Sequence, residues 1–87
     1  MAAPRRKITP AERKERDASM RVLNWVIVIV IRRLFDEGWT TEQVALAYAQ
    51  IQEETGRIVV AHANLGWQYV DETKAADEVY AAVKKGQ

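Results

Sequence analysis

One histidine and a few carboxylates are the residues of this sequence that could serve a catalytic or metal site. His62 is the only histidine, and four acidic residues follow it in the next stretch of the chain, namely Asp71, Glu72, Asp77 and Glu78. Metal sites that can be read from a sequence place their ligands at short, regular spacings, and this set shows none of them. The sequence therefore predicts no metal site and indicates a partly buried histidine among valines and alanines.

Nucleophilic and acid–base catalysis find no better support. The chain has no cysteine, which excludes thiolate nucleophiles, thiolate metal ligands and disulfides. A serine–histidine pair would have to join Ser19 and His62, and no nucleophile-elbow motif surrounds Ser19. The acidic pairs are adjacent residues, which point in different directions on a helix, whereas acid–base work needs carboxylates in a shielded cleft. We therefore expect a protein that is not an enzyme and needs no cofactor.

The charged residues are divided unevenly along the chain. Residues 1–33 contain nine basic and three acidic residues, whereas residues 34–87 contain four basic and nine acidic ones. A basic end of this kind attracts a polyanion such as nucleic acid, or the acidic end of a second copy. The alternative is a solvated, charged helix with a solubilising tail. The candidate phosphate-contacting residues are Arg5, Arg6, Lys7, Arg13, Lys14, Arg16 and Arg21.

The stretch "NWVIVIVIRR" contains seven consecutive large apolar residues, Trp25 to Ile31, of which six are β-branched. A membrane-spanning helix needs about 20 apolar residues, so this run is too short. A signal peptide would need a small-residue cleavage site after the run, where "RRLF" stands instead. We expect no membrane segment, and the absence of cysteine fits a cytoplasmic location.

Both ends of this region carry helix signals. Thr9 is a candidate N-cap with Pro10 at the first helical position, and Gly38 is a typical residue just beyond a helix end. These signals predict one helix over about 11–37, and the alternative is a strand over 22–32, which β-branching favours. Helical spacing places Leu23, Ile27, Val30, Ile31 and Leu34 on one face. A second face carries Arg21, Trp25, Val28, Arg32 and Phe35.

The middle two turns of the predicted helix are apolar on every side, so they must be covered all round. In a chain of 87 residues this indicates the central helix of the domain or a helix shared with a second subunit. A homodimer is therefore expected, with Trp25, Val28, Ile29 and Phe35 as the self-association residues. Alternatively, the helix over 22–35 lies in the groove of a different protein partner.

The rest of the chain predicts a small, mostly α-helical bundle in one domain over 11–87, preceded by a disordered basic arm over 1–10. A second helix over 41–55 begins with a capping box of Thr40 and Gln43 and ends at Gly56. A C-terminal helix occupies 72–85. Residues 57–70 form either a third helix or a β-hairpin that turns at "ANLG".

The stretch "RRLFDEGWTTEQVALAYA", Arg32–Ala49, resembles the first helix, turn and second helix of helix-turn-helix DNA-binding domains. The shared features are a leucine-bearing helix, an acidic residue and a glycine, a capping threonine, and then a glutamate and an alanine that faces the core. The resemblance covers about a fifth of the chain. It implies duplex DNA as the partner. If Arg57–Tyr69 is the recognition helix of such a domain, its base-reading candidates are Arg57, His62, Asn64 and Gln68.

Overall fold

The computed structural model describes residues 8–86, which form three α-helices that pack against one another in pairs. The first helix, α1, spans Pro10–Asp36, the second, α2, spans Thr41–His62, and the third, α3, spans Glu72–Lys85. The described part of the chain contains no strand. The predicted α-helical bundle is therefore confirmed, and the strand proposed for 22–32 is wrong. The first seven positions of the predicted basic arm lie outside the described residues.

Capping interactions explain where α1 begins and ends. The Thr9 hydroxyl accepts a hydrogen bond from the backbone N–H of Glu12 at 3.2 Å, and Pro10 is the first helical residue. At the other end Gly38 has a φ of +101°, a left-handed conformation that closes the helix and favours glycine. These local signals outweigh the strand preference of the β-branched residues. The helix also buries a row of those β-branched side chains against the core.

The buried row of α1 is Val22, Val26, Val30 and Leu34, in which every fourth residue is almost wholly excluded from solvent. The face that helical spacing predicted differs from this row. Its members Val30 and Leu34 are buried as expected, but the other three are only half-buried. The row that packs best depends on the direction from which α2 and α3 approach, and helical spacing alone does not fix that direction. The remaining core residues are Val44, Ala47, Ile51, Ile58, Val59, Ala75, Ala76, Val79 and Val83.

α2 continues past the predicted end at Gly56 and reaches His62. A glycine inside a helix costs about 1 kcal/mol relative to alanine, so its presence alone does not force a break. Continuing the helix buries Ile58 and Val59 against the core, and each such side chain contributes about 1.5–3 kcal/mol. Burial therefore outweighs the local preference of Gly56, and the predicted boundary at residue 55 is wrong.

The connection from α2 to α3 consists of two single 3₁₀ turns, Ala63–Leu65 and Trp67–Tyr69. Gly66 lies between them with a φ of +126°, so the predicted turn residue does reverse the chain direction. No β-hairpin forms, because residues 57–62 belong to α2 and Trp67–Tyr69 packs as a turn near the first half of α1. The hairpin alternative for 57–70 is therefore wrong, and a separate third helix over those residues is also not observed.

The bundle is flat, with extents of 49 × 34 × 17 Å. α2 and α3 both contact α1 from the side of its buried row. This arrangement leaves the opposite side of α1 facing solvent along most of its length. None of the buried residues of α1 precedes Val22, so its first three turns project from the core.

Candidate nucleic-acid interface

Four of the predicted phosphate-contacting residues lie on the first turns of α1, and we refer to them together as the basic segment: Arg13, Lys14, Arg16 and Arg21. All four side chains are exposed. Within the residues that the structure describes, none of the four forms an ion pair. The other three predicted residues, Arg5, Arg6 and Lys7, lie outside the described part of the chain.

Several basic residues outside the basic segment form ion pairs within the bundle. Arg33 of α1 pairs with Asp77 of α3, and Arg57 pairs with Glu54 one turn earlier on α2. Lys84 Nζ donates to the Glu37 carboxylate at 2.9 Å. Among residues 8–86, the unpaired cations outside the basic segment are Arg32, Lys74 and Lys85. Four unpaired cations within nine residues therefore distinguish the start of α1 from the rest of the described chain.

A half-open groove of about 1050 Å³ separates the first half of α1 from the turn at 66–70. Three members of the basic segment line it, opposite Trp67 and Val70, and Arg16 does not. The acidic residues on its walls are Glu15, Asp17 and Glu72. Because cations and carboxylates are equal in number there, the groove itself does not concentrate anions. The basic side chains can act on a polyanion through their exposed tips, at the rim rather than at the floor.

The solvent-facing side of α1 combines apolar and basic residues, and we call it the outer face: Arg21, Trp25, Val28, Arg32 and Phe35. Its three apolar members are 54%, 51% and 44% exposed respectively. The five positions of the face, two of which are arginines, follow the alternating spacing of four and three residues that is typical of a helix seam contacting a second helix. Three of the four predicted self-association residues therefore lie on one exposed face. The fourth, Ile29, is half-buried and packs against the core.

A polar bridge between the end of α1 and α3 was not predicted from the sequence. It consists of Glu37, Tyr80 and Lys84, with Arg33 stacked 4.5 Å above the centroid of the Tyr80 ring. Hydrogen bonds from Tyr80 and then from Lys84 hold the pKa of Glu37 below its ordinary value. The hydrogen bond to Glu37 is also the main cause that raises the pKa of Tyr80 and the pKa of Lys84. Its members come from distant parts of the sequence, so no local pattern reveals it.

His62 lies at the end of α2, where its Nε2 pairs with the Glu78 carboxylate of α3. The imidazole is 20% exposed, so it is mostly covered as the sequence indicated. Glu78 is one of the carboxylates that a metal site would have used, and here it serves as an interhelical partner. The geometry assigns His62 to the packing of α2 on α3.

The stretch with the helix-turn-helix resemblance, Arg32–Ala49, comprises the end of α1, a short turn and the first turns of α2. A separate recognition helix would follow the second helix of such a domain, whereas α2 continues without interruption to His62. Of the base-reading candidates, Arg57 forms an ion pair with Glu54, and His62 contacts the Glu78 carboxylate. Asn64 and Gln68 are exposed in the turns that precede α3.

Residues 8–86 hold no group of three or more histidine, cysteine, aspartate or glutamate side chains that could bind a metal ion. Within the same range no helix is both long enough and apolar enough to cross a lipid bilayer. No protein-family model matches the chain, and neither the curated proteins nor the solved structures include a significantly similar one.

Proposed function

We propose that this chain is a small, non-enzymatic regulatory protein of the cytoplasm that binds nucleic acid as a homodimer. The basic segment of α1, together with Arg5, Arg6 and Lys7, supplies the phosphate contacts. The observation that carries the proposal is the group of four exposed cations at the start of α1, none of which has an ion-pair partner in the described part of the chain. Binding through these residues is mainly electrostatic and does not depend on base sequence.

Unpaired cations matter because a basic side chain in an ion pair must give up its partner before it contacts a phosphate. Each free lysine or arginine that neutralises a phosphate releases a condensed counterion from the nucleic acid. The entropy of that release drives binding at low salt. Ion-paired residues such as Arg33, Arg57 and Lys84 contribute less, since contacts within the bundle already satisfy their charge.

Duplex DNA is the preferred partner in this proposal. The support is the resemblance of Arg32–Ala49 to the first two helices of helix-turn-helix domains. Two of the base-reading candidates, Arg57 and His62, contact carboxylates within the bundle. The proposal therefore assigns affinity to the phosphate backbone rather than to base edges. Phosphate contacts alone do not distinguish DNA from RNA, so the experiment below measures binding to both.

Two triple variants with the same change in net charge test the proposal. The first replaces Arg13, Lys14 and Arg16 with glutamine, and the control replaces Arg57, Lys74 and Lys85 with glutamine. Fluorescence anisotropy measures binding to a generic labelled duplex and to a generic RNA at low salt. Removing three phosphate contacts should weaken binding by at least about tenfold, whereas the control should change it less than about threefold. Equal weakening by both variants would show that net charge alone matters, and unchanged binding by the first variant would refute the proposal.

A second candidate function is a protein–protein interaction module that presents the outer face to a different protein. The exposure of Trp25, Val28 and Phe35 favours it, because apolar residues grouped on one face commonly mark a binding surface. The two functions differ in their response to salt. Nucleic-acid binding weakens steeply as salt rises, whereas an apolar helix contact changes little. Binding of a protein partner with no salt dependence, and no binding of DNA or RNA, would favour the second candidate.

A further inference from the structure

We infer that the outer face of α1 pairs with the outer face of a second copy in the antiparallel direction. This inference rests on the homodimer in the proposed function and adds its geometry. The apolar residues Trp25, Val28 and Phe35 supply the contact, but they do not determine whether the two helices are parallel or antiparallel. Three charged residues do: Arg21 and Arg32 on the outer face, and Asp36, which follows Phe35 beside it.

A parallel, in-register pair places each residue of the face opposite its own copy. Arg21 would then face the partner's Arg21, and Arg32 would face the partner's Arg32. Both arginines are exposed, and neither has a carboxylate partner within residues 8–86. Two layers of like charge in an apolar seam are unfavourable, so the parallel arrangement is electrostatically disfavoured.

An antiparallel pair whose two-fold axis passes between Val28 and Ile29 removes both repulsions. It brings Arg21 opposite the partner's Asp36, and the carboxylate of Asp36 is exposed and unpaired in the described chain. It also brings Arg32 opposite the partner's Trp25, where a guanidinium can stack on the indole ring. Because the interface is isologous, each of these contacts occurs twice. The two Val28 side chains meet at the axis.

This geometry has a consequence for the basic segments. With a rise of about 1.5 Å per residue, the two Arg13 positions would lie roughly 45 Å apart, at opposite ends of the paired helices. A parallel pair would place them side by side instead. The antiparallel dimer pairs Arg21 with the partner's Asp36, which leaves Arg13, Lys14 and Arg16 as the available cations of each basic segment. It therefore offers two separate phosphate-binding ends, which lie farther apart than one turn of B-DNA, about 34 Å.

A charge exchange tests the direction of pairing without nucleic acid. Arg21 and Asp36 lie about 22 Å apart on the same α1, so they cannot contact each other within one chain. Arg21→Asp alone and Asp36→Arg alone should each weaken dimerisation by about tenfold in sedimentation equilibrium. The double variant Arg21→Asp with Asp36→Arg should restore the wild-type dissociation constant, because the opposite charges face each other again. No restoration by the double variant would overturn the antiparallel register.

A distance measurement gives an independent result. Since the sequence has no cysteine, Arg13→Cys introduces a single site for a spin label. Pulsed electron resonance should show a distance of roughly 45 Å in the antiparallel dimer and less than about 25 Å in a parallel one. A short distance would overturn the inference, and a monomer at high protein concentration would overturn it as well. A short distance leaves the proposed function unaffected, whereas a monomer would also contradict its homodimer. The affinity of the wild-type chain for DNA is measured separately, so failure of this inference is distinguishable from failure of nucleic-acid binding.

Discussion

The two ends of α1 carry the same kinds of basic residue in different surroundings. Near its start, Arg13, Lys14 and Arg16 project from the core and have no ion-pair partner among residues 8–86. Near its end, Arg33 pairs with Asp77 and stacks on Tyr80, since α3 lies alongside. The difference teaches that the number of basic residues in a stretch does not measure the charge available to a ligand. That availability depends on which helices pack beside the stretch.

The same helix also has two apolar sides that differ in their surroundings. The side chains of the buried row are at most 6% exposed, whereas the apolar side chains of the outer face are about half exposed. In the sequence the two sets alternate within the run Trp25 to Ile31, where Trp25 and Val28 belong to the outer face and Val26 and Val30 to the buried row. We expect the first set to determine folding and the second to determine association.

The largest expected effect distinguishes these two sides with a pair of matched substitutions. Val26→Asp places a carboxylate in the core and should destabilise the fold by more than about 4 kcal/mol, which prevents folding of a small domain. Val28→Asp, two residues later, should change the stability of the monomer by less than about 1 kcal/mol and abolish the dimer. Circular dichroism at low protein concentration checks the fold, and sedimentation equilibrium checks association. Unfolding by Val28→Asp would contradict the assignment of the outer face.

An intermediate effect is expected at two glycines that differ in backbone conformation. A Cβ atom added at Gly56 or at Gly38 would meet no other atom within 4 Å, so packing does not distinguish them. Gly56→Ala should stabilise the protein by about 1 kcal/mol, because Gly56 lies inside α2. Gly38→Ala should destabilise it by about 1–2 kcal/mol, because φ is +101° there. Thermal unfolding checks both, and stabilisation by both substitutions would refute the left-handed turn.

The smallest effect concerns the polar bridge of Glu37, Tyr80 and Lys84. The pKa of Glu37 lies below its ordinary value of 4.5, so its contribution to stability is present above pH 4.5 and is lost as the pH falls through the lowered pKa. The pKa values of Tyr80 and Lys84 lie above 10.0 and 10.5, so their contributions are present below those values and are lost at higher pH. The bridge therefore operates across neutral pH.

Glu37→Gln should lower the melting temperature slightly at neutral pH, because an exposed ion pair contributes little. The difference from the wild type should disappear at acid pH, where Glu37 is protonated in both the folded and the unfolded chain. Glu53→Gln is the control, since Glu53 is exposed and unpaired in the described residues. Equal melting temperatures for Glu37→Gln and the wild type at every pH would show that the bridge does not contribute to stability.

Local signals in the sequence predicted much of the fold. Thr9, Thr40 and Gly38 cap or terminate their helices as expected, because each of these interactions joins residues at most a few positions apart. The prediction that α2 ends at Gly56 failed, since burial of Ile58 and Val59 depends on a core that local sequence does not show.

The candidate site was predictable only in part, for the same physical reason. The sequence identified Arg13 and Arg33 as basic residues of one helix, and both carry the same charge. It could not show that Arg33 has a partner, since Asp77 lies 44 residues further along the chain. Which cations remain available is therefore a property of the tertiary structure.

The central claim is that the start of α1 binds nucleic acid through available cations, and the salt dependence of binding tests it most directly. The measurement is the affinity of the full chain for a generic DNA duplex over a series of salt concentrations. With up to seven phosphate contacts, the logarithm of the association constant should fall against the logarithm of salt with a slope of about −3 to −6. A slope near zero, or no binding at low salt, would contradict the account.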